Sequence, residues 1–228
     1  MRIKVCGVQS ADELRLLDDC GVDHAGLWWN LADGKHNLDA ERLAALLALP
    51  LAHTRPVLVT IGRSVDDLAA VLEQHAIPAV QLSGFELPTF VATLRARLPT
   101  LRIFKTLHVQ GQMCLESAFI DAYLRAGVDD FIVDSFVSRQ AAGSTGVRVA
   151  PQVVQALARR LAPRRLMLAG GVTVQSLAET PSDQVWGIDV DTAARGPLGI
   201  VRSKVADLVA AARGLARAPQ RQPQEALA

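Results

Sequence analysis

Two residues of this sequence have side chains that could exchange protons with one substrate, and each closes an apolar run. Cys6 ends the run IKVC, and Asp134 ends the run FIVD. A thiolate can act as a general base, and a carboxylic acid can donate the matching proton. If both runs are parallel strands of one barrel, the thiol and the carboxyl meet at one mouth. This pairing predicts an enzyme, although a buried cysteine and a turn-forming aspartate are the plainer alternatives.

Glycine-rich segments after other apolar runs favour the binding of an anionic substrate. Gly7 directly follows Cys6 and gives a substrate close access to the backbone. Gly170 and Gly171 follow the run LMLA, before a helix expected near Thr173, where exposed N–H groups could bind phosphate. The segment GSTG (143–146) comes after Asp134 and is typical of a turn that covers a substrate. A plain loop or a simple tight turn would use the same residues.

The elements that must position these residues alternate along the chain. Eight short apolar runs, rich in β-branched residues, predict strands that are buried on both faces. The runs cover residues 3–6, 25–29, 56–62, 79–82, 102–109, 131–134, 166–170 and 185–190. Between them lie segments with helical spacing, and their start signals are a capping box of Ser10 with Glu13, N-caps at Asp39 and Ser64, and Pro151 in a first turn.

This alternation predicts an α/β protein with a single (βα)8 TIM barrel over residues 1–215. An open doubly wound sheet is the alternative, but neither late glycine-rich segment has the GxGxxG spacing of that fold. Residues 216–228 mix Pro, Gln and charge without periodicity, so we expect a disordered tail.

Composition narrows the possible partners. The 228 residues are 50% hydrophobic with a net charge of +1, which favours one soluble domain without a basic face for nucleic acid. We find no apolar run of the roughly 18 residues that would span a membrane. The N-terminus has no secretory h-region, and the three cysteines show neither metal spacing nor an even framework. We therefore expect a cytoplasmic protein without a bound metal.

Five motifs in this order resemble the phosphoribosylanthranilate isomerase family of tryptophan biosynthesis, up to about residue 213: KVCG, AVQLSG, FIVD with GSTG behind it, LAGGV and GIDV. The resemblance implies an aldose–ketose isomerase that works without metal or organic cofactor. Its reaction is the Amadori rearrangement of an N-(5-phosphoribosyl) arylamine to a 1-amino-1-deoxyribulose 5-phosphate.

The resemblance also implies roles for individual residues. Asp134 would protonate the furanose oxygen and open the ring to a Schiff base, and Cys6 would then remove the proton from sugar C2. The substrate-binding positions would be Gly7, His36, Gln81, Gly143, Ser144, Gly146, Gly170, Gly171 and Thr192. The expected partner is the phosphorylated sugar substrate, and the expected state is a monomer or a homodimer.

Several positions depart from the family pattern. The loop after the second strand has His36 where the family has an arginine that binds the anthranilate carboxylate, and histidine cannot make that two-pronged contact. Ser83 replaces the histidine of QLHG. Asp191, Thr192 and Ala193 replace two serines and a glycine at the phosphate site. Asp191 would repel phosphate there, unless it turns away, Arg195 neutralises it or the phosphate site has moved.

These departures leave two alternative functions open. The first is an isomerase or lyase of the same barrel type that acts on a sugar phosphate with a different amine, which His36, Trp28 and Asp191 favour. The second is a noncatalytic barrel that binds a phosphorylated metabolite or a protein. Arg139 is a candidate replacement cation for a substrate carboxylate, and Lys105 is a candidate pocket residue. No role is assigned to the remaining histidines, His24, His53, His75 and His108.

Overall fold

The structure is a computed structural model that describes residues 1–29, 31, 34–137, 146–180 and 184–217. Within these residues eight parallel strands follow one another along the chain. They are β1 (Arg2–Cys6), β2 (His24–Trp29), β3 (Arg55–Thr60), β4 (Ala79–Leu82), β5 (Arg102–Gln110), β6 (Asp130–Ser135), β7 (Arg165–Leu168) and β8 (Gly187–Val190). Each strand begins and ends within about two residues of one of the eight apolar runs, so the strand prediction is confirmed.

Hydrogen bonding between neighbouring strands closes the sheet on itself. Each strand pairs in parallel with the next one along the chain. The last strand then pairs with the first, with Val5 opposite Val190, while Cys6 lies opposite Gly26 on the other side of β1. The predicted (βα)8 barrel is therefore confirmed, and the open doubly wound sheet was the wrong alternative.

Helices connect the strands on the outside of the barrel. They are α1 (Ala11–Asp19), α2 (Ala40–Leu47), α3 (Val65–Gln74), α4 (Pro88–Arg97), α5 (Ile120–Ala126), α6 (Pro151–Leu161), α7 (Val174–Leu177) and α8 (Arg202–Arg217). In the described residues, no helix is long and apolar enough to cross a membrane. Because α8 runs through Arg217, the first two residues of the predicted tail are helical, and residues 218–228 lie outside the described residues.

The predicted helix starts are present, with one change. Asp39 and Ser64 cap their helices, and Pro151 is the first residue of α6. Ser10 also accepts a hydrogen bond from the Glu13 backbone N–H, but the Glu13 carboxylate accepts from Gln9 instead of Ser10. The predicted capping box is thus only half formed, because the Glu13 carboxylate also binds Arg195 and the Ile200 N–H near the end of the barrel.

Strand alternation divides the side chains between the barrel interior and the helix layer. The lower interior is filled by one apolar cluster: Val57, Ala79, Phe104, Ile132, Met167 and Ala169. A larger cluster lies between the strands and the helices. Trp28 faces the interior and Trp29 packs against the outer cluster, as their alternation predicts. Because this apolar cluster fills the lower barrel, the polar side chains that could act on a substrate lie at the carboxyl ends of the strands.

Candidate active site

A cavity of about 280 Å³ opens at the carboxyl ends of the strands, and each of the eight strands or the loop after it contributes to its wall. This is the face on which (βα)8 barrels place their binding loops. Its described wall contains seven of the eleven predicted catalytic and substrate-binding positions: Cys6, Gln81, Asp134, Gly146, Gly170, Gly171 and Thr192. The two side chains proposed to exchange protons therefore line one cavity.

The other predicted positions lie elsewhere. Gly7 and His36 are in contact just outside the described cavity wall, since a Cβ on Gly7 would lie 2.6 Å from His36 Cδ2. The His36 ring packs edge-on against Trp28, with ring centroids 5.2 Å apart, and so lies behind the indole. Gly143 and Ser144, together with Arg139, lie outside the described residues. Lys105 points away from the cavity and donates to the carbonyl oxygens of Gly84 and Thr106.

The Cys6 thiol is buried and has two hydrogen-bond donors. Lys4 lies two residues earlier on the same face of β1, and its Nζ is 3.2 Å from Sγ. Trp28 Nε1 is 2.9 Å from the same sulfur. Burial raises the pKa of Cys6 to about 11, against the opposing effect of Lys4 and Trp28. The two donors thus favour a thiolate in a place where water cannot stabilise it.

Lys4 also forms an ion pair with Asp189 at the base of the cavity. Its Nζ is 2.8 Å from Asp189 Oδ2, and both side chains are buried. Burial opposes the charge, but the Asp189 carboxylate and Cys6 raise the pKa of Lys4 overall, so the ammonium persists. Asp189 Oδ1 and Gln81 Oε1 have no hydrogen-bond partner in the described part of the chain. Both residues line the cavity, and the two oxygens are buried acceptors left unsatisfied by the described residues.

Asp134 has the properties of a carboxylic acid that keeps its proton close to neutral pH. Burial, and then the charge of Asp189, raise its pKa to about 6, while the Ser135 N–H, His108 and Lys4 act in the opposite direction. Lys4 and Asp189 act on both groups, but the thiol accepts hydrogen bonds from Lys4 and Trp28, whereas Asp134 accepts one from the Ser135 N–H and lies near His108. Separate environments are what allow two groups to take opposite proton states in one site.

The loop after β8 holds its unexpected carboxylate in an ion-pair cluster. Asp191 binds the Arg195 guanidinium, and Lys35 Nζ and His36 Nε2 lie 3.6 and 3.5 Å from its oxygens. Arg195 also donates to the carbonyl oxygens of Cys6 and Gly7, and so joins the first and last loops of the barrel. Of the possibilities that the sequence left open, neutralisation by Arg195 is the one observed.

Gly170 and Gly171 line the cavity beside this loop with positive φ angles of 72° and 60°. A Cβ on Gly171 would lie 2.6 Å from the Gly146 carbonyl oxygen, so a side chain is excluded there on two grounds. In the described residues, no group of three or more His, Cys, Asp or Glu side chains could hold a metal ion.

Sequence reasoning missed a second pair of polar residues in the wall. His108 lines the cavity, and its Nδ1 lies 2.5 Å from Oε1 of buried Glu116. Period-two alternation along β5 could have placed His108 with Thr106 on the inner face. No sequence pattern indicated Glu116. The chain brings it beside His108 only because Met113–Cys114 turns back and pairs with the end of β5. Lys4 was likewise detectable, since it shares its face with Cys6.

Comparisons with known proteins agree with this geometry. The family model described as N-(5'phosphoribosyl)anthranilate (PRA) isomerase matches residues 3–194. The isomerase of Geobacillus thermodenitrificans is 30% identical over 198 residues, covering 84% of this chain and 85% of that protein. The isomerase of Brevibacillus brevis is 29% identical over 187 residues, or 82% of each chain.

A solved structure shows the same fold. The crystal structure of the Thermotoga maritima phosphoribosyl anthranilate isomerase superposes with a TM-score of 0.78 at 19% identity, covering 94% of this chain and 99% of that one. Since the family model spans most of the sequence, the chain belongs to the N-(5'-phosphoribosyl)anthranilate isomerase family.

Proposed function

We propose that this protein is an N-(5'-phosphoribosyl)anthranilate isomerase, an aldose–ketose isomerase that rearranges its substrate to the corresponding 1-amino-1-deoxyribulose 5-phosphate. The observation that carries the proposal is that Cys6 and Asp134 line one cavity in a chain of this family. We further propose that the protein works in the cytoplasm as a monomer or a homodimer.

Asp134 acts first, as the general acid. It donates its proton to the furanose oxygen, the bond from that oxygen to C1 breaks, and the nitrogen lone pair forms an iminium at C1. Burial supports this role, because a pKa of about 6 leaves the carboxyl group partly protonated near neutral pH.

Cys6 then acts as the general base. The iminium acidifies the neighbouring C2–H bond, so a thiolate can take that proton and leave an enolamine. The enolamine becomes the ketone when C1 gains a proton and the C2 hydroxyl loses one. Lys4 and Trp28 support the thiolate through their hydrogen bonds to Sγ.

Contacts along the wall suit the rest of the substrate. Gly170, Gly171 and Thr192 would hold the phosphate, with Gly143, Ser144 and Gly146 covering it. The free acceptors of Gln81 and Asp189 would receive hydrogen bonds from the ribose hydroxyls. Gly7 lies beside Cys6 but packs against His36 and Arg195, and His36 would act on the amine end only through Trp28, which it contacts.

The test is an assay of the purified protein with phosphoribosyl anthranilate, followed by the loss of substrate fluorescence. Cys6→Ala and Asp134→Asn should each lower kcat/KM by a factor of at least about 10² to 10⁴, the usual contribution of an acid–base group. Cys20→Ala is the matched control, because that thiol lies outside the cavity wall. Absence of turnover by the wild-type protein would contradict the proposal.

A same-barrel isomerase or lyase for a different amine is the second candidate. The observation that favours it is His36, which replaces the expected arginine and lies behind Trp28. Turnover of another phosphoribosyl amine, without turnover of the anthranilate substrate, would select this candidate. A noncatalytic barrel would instead keep every cellular phenotype in the Cys6→Ala and Asp134→Asn variants.

A further inference from the structure

We propose that His108, held by Glu116, binds the carboxylate of the aryl amine and so replaces the arginine that position 36 lacks. This inference rests on the proposed function, since it assigns one contact of the same substrate. It concerns a side chain that the acid–base steps do not use.

Glu116 fixes the His108 ring from behind. One carboxylate oxygen lies 2.5 Å from Nδ1, and the other accepts the His108 backbone N–H at 2.9 Å. Phe85 stacks on the imidazole with centroids 4.5 Å apart, and Phe136 meets it edge-on at 5.5 Å. The ring is therefore held in one orientation before any ligand arrives.

The second ring nitrogen is available to a ligand. Nε2 has no hydrogen-bond partner among the described residues, and His108 lines the cavity. With Glu116 as the acceptor for Nδ1–H, a neutral ring has only a lone pair at Nε2, whereas an imidazolium has an N–H donor there. A substrate carboxylate at Nε2 would give the imidazolium an anion on each side. The pair is thus suited to bind an anion through one charged hydrogen bond.

The position of His108 around the barrel fits the amine end of the substrate. The proposed phosphate site lies in the loops after β7 and β8, and the opposite side of an eight-stranded barrel is formed by β3 and β4. Val59 and Ile61 make an apolar wall there, suited to an aromatic ring. His108 lies at the end of β5, which pairs with β4, so Gln81 and Ser83 separate it from that wall. An extended substrate with phosphate at one end would place its ring against Val59 and Ile61 and could turn its ring carboxylate towards β5.

Charges next to His108 permit an incoming anion. Asp134 faces His108 across the paired strands β5 and β6, and it must be protonated and neutral to act as the acid. Lys105 is buried with its Nζ 3.7 Å from Glu86 Oε2. Burial lowers the pKa of Lys105, and the charges of Glu86 and Glu116 oppose that shift. The other two carboxyl groups of the described wall, Asp189 and Asp191, are paired with Lys4 and Arg195.

A pair of substrates that differ only in the carboxylate tests the assignment. Steady-state kinetics are measured with phosphoribosyl anthranilate, by fluorescence, and with phosphoribosyl aniline, by chromatography of the ketose. His108→Phe keeps an aromatic ring between Phe85 and Phe136 but removes both nitrogens. It should raise KM for the anthranilate substrate about 10- to 100-fold, as loss of a charged hydrogen bond does, and change KM for the aniline substrate by less than about twofold.

Two further variants keep the result interpretable. Glu116→Gln removes the charge behind the ring and should raise KM in the same substrate-selective way, by a smaller factor. His108→Gln retains a neutral donor and should fall between wild type and His108→Phe, while His53→Gln, on the exposed surface, should match wild type. Circular dichroism confirms that each variant is folded.

Three outcomes are distinguishable. A selective rise in KM supports the assignment. Equal losses on both substrates would overturn it, because His108 would then act on the common chemistry through Asp134. Turnover of neither substrate by the wild-type protein would instead refute the proposed function itself.

Discussion

At the scale of single residues, the site faces a conflict between burial and charge at Cys6. A thiolate is the form that takes a proton, yet burial raises the pKa of this thiol to about 11. Lys4 and Trp28 reduce the conflict because each donates a hydrogen bond to the sulfur. Gly26 is needed opposite, since a Cβ there would lie 2.7 Å from Sγ. The residues around the sulfur therefore provide both charge stabilisation and room.

The proton states of the two groups predict a broad pH profile. Asp134 loses its proton with a pKa of about 6 and Cys6 with a pKa of about 11, but catalysis needs the proton on Asp134 and the charge on Cys6. The form with a protonated Asp134 and an ionised Cys6 has the same number of protons as the form with an ionised Asp134 and a neutral Cys6, which dominates between those two pKa values. The ratio of the two forms is therefore constant over that pH range. We expect kcat/KM to rise as the pH passes about 6 and then to stay level to at least about pH 9.

Trp28→Phe tests whether the indole supports the thiolate. Loss of the indole donor makes the thiolate rarer, so kcat/KM should fall across the whole level region while the rise near pH 6 keeps its position. The measurement is kcat/KM from pH 5 to 9 for both proteins. An unchanged plateau would show that the indole does not support the base.

At the scale of elements, the sequence was sufficient for the strands and for the residues that end them. The apolar runs predicted eight strands because both faces of each strand are buried. The ends of those strands then placed Cys6, Gln81 and Asp134 together at the carboxyl end of the barrel. Partners that come from distant loops were not predictable. Glu116 returns to His108 after a short turn, and Glu13 leaves its cap to meet Arg195, because such contacts depend on loop geometry that no local pattern records.

In the loop after β8, Arg195 is the nearest of three basic side chains around Asp191, which gives a prediction for this element. Arg195→Gln should leave the Asp191 carboxylate less neutralised beside the proposed phosphate site and raise KM about tenfold, because like charges at close range repel by about 1 kcal/mol or more. Adding Asp191→Asn should restore most of the loss. The measurements are KM for the substrate and the inhibition constant of inorganic phosphate.

The double variant is the informative control, because Arg195 also binds the carbonyl oxygens of Cys6 and Gly7. If those backbone contacts were its main contribution, kcat would fall and Asp191→Asn would restore nothing. That result would remove charge neutralisation as the reason for the ion pair.

At the scale of the whole molecule, one carboxylate joins the first strands of the barrel to its last helix. Asp23 precedes β2, and its side chain binds Arg2, the Ile3 N–H of β1 at 2.9 Å and Arg213 of α8 at 2.8 Å. Its carbonyl oxygen also accepts the Arg55 N–H at the start of β3. Four elements that are distant in sequence thus meet at one buried residue, on the face opposite the proposed active site.

Removing this charge should destabilise the fold in a pH-dependent way. Although burial opposes ionisation, hydrogen bonds from Arg2 and Ile3 together with Arg213 lower the pKa of Asp23 overall. A carboxyl with a depressed pKa in the folded state adds stability above its unfolded value of about 3.9, and that stability disappears as the pH falls through the folded value.

In urea denaturation at pH 7, Asp23→Asn should therefore be less stable than wild type by about 1 to 3 kcal/mol. The difference in stability between Asp23→Asn and wild type should narrow below about pH 4. Asp19→Asn is the control: it removes an exposed ion pair with Arg202 and should lower the stability by less than about 1 kcal/mol. A deficit that stayed constant down to pH 3 would mean that Asp23 acts through packing and not through its charge.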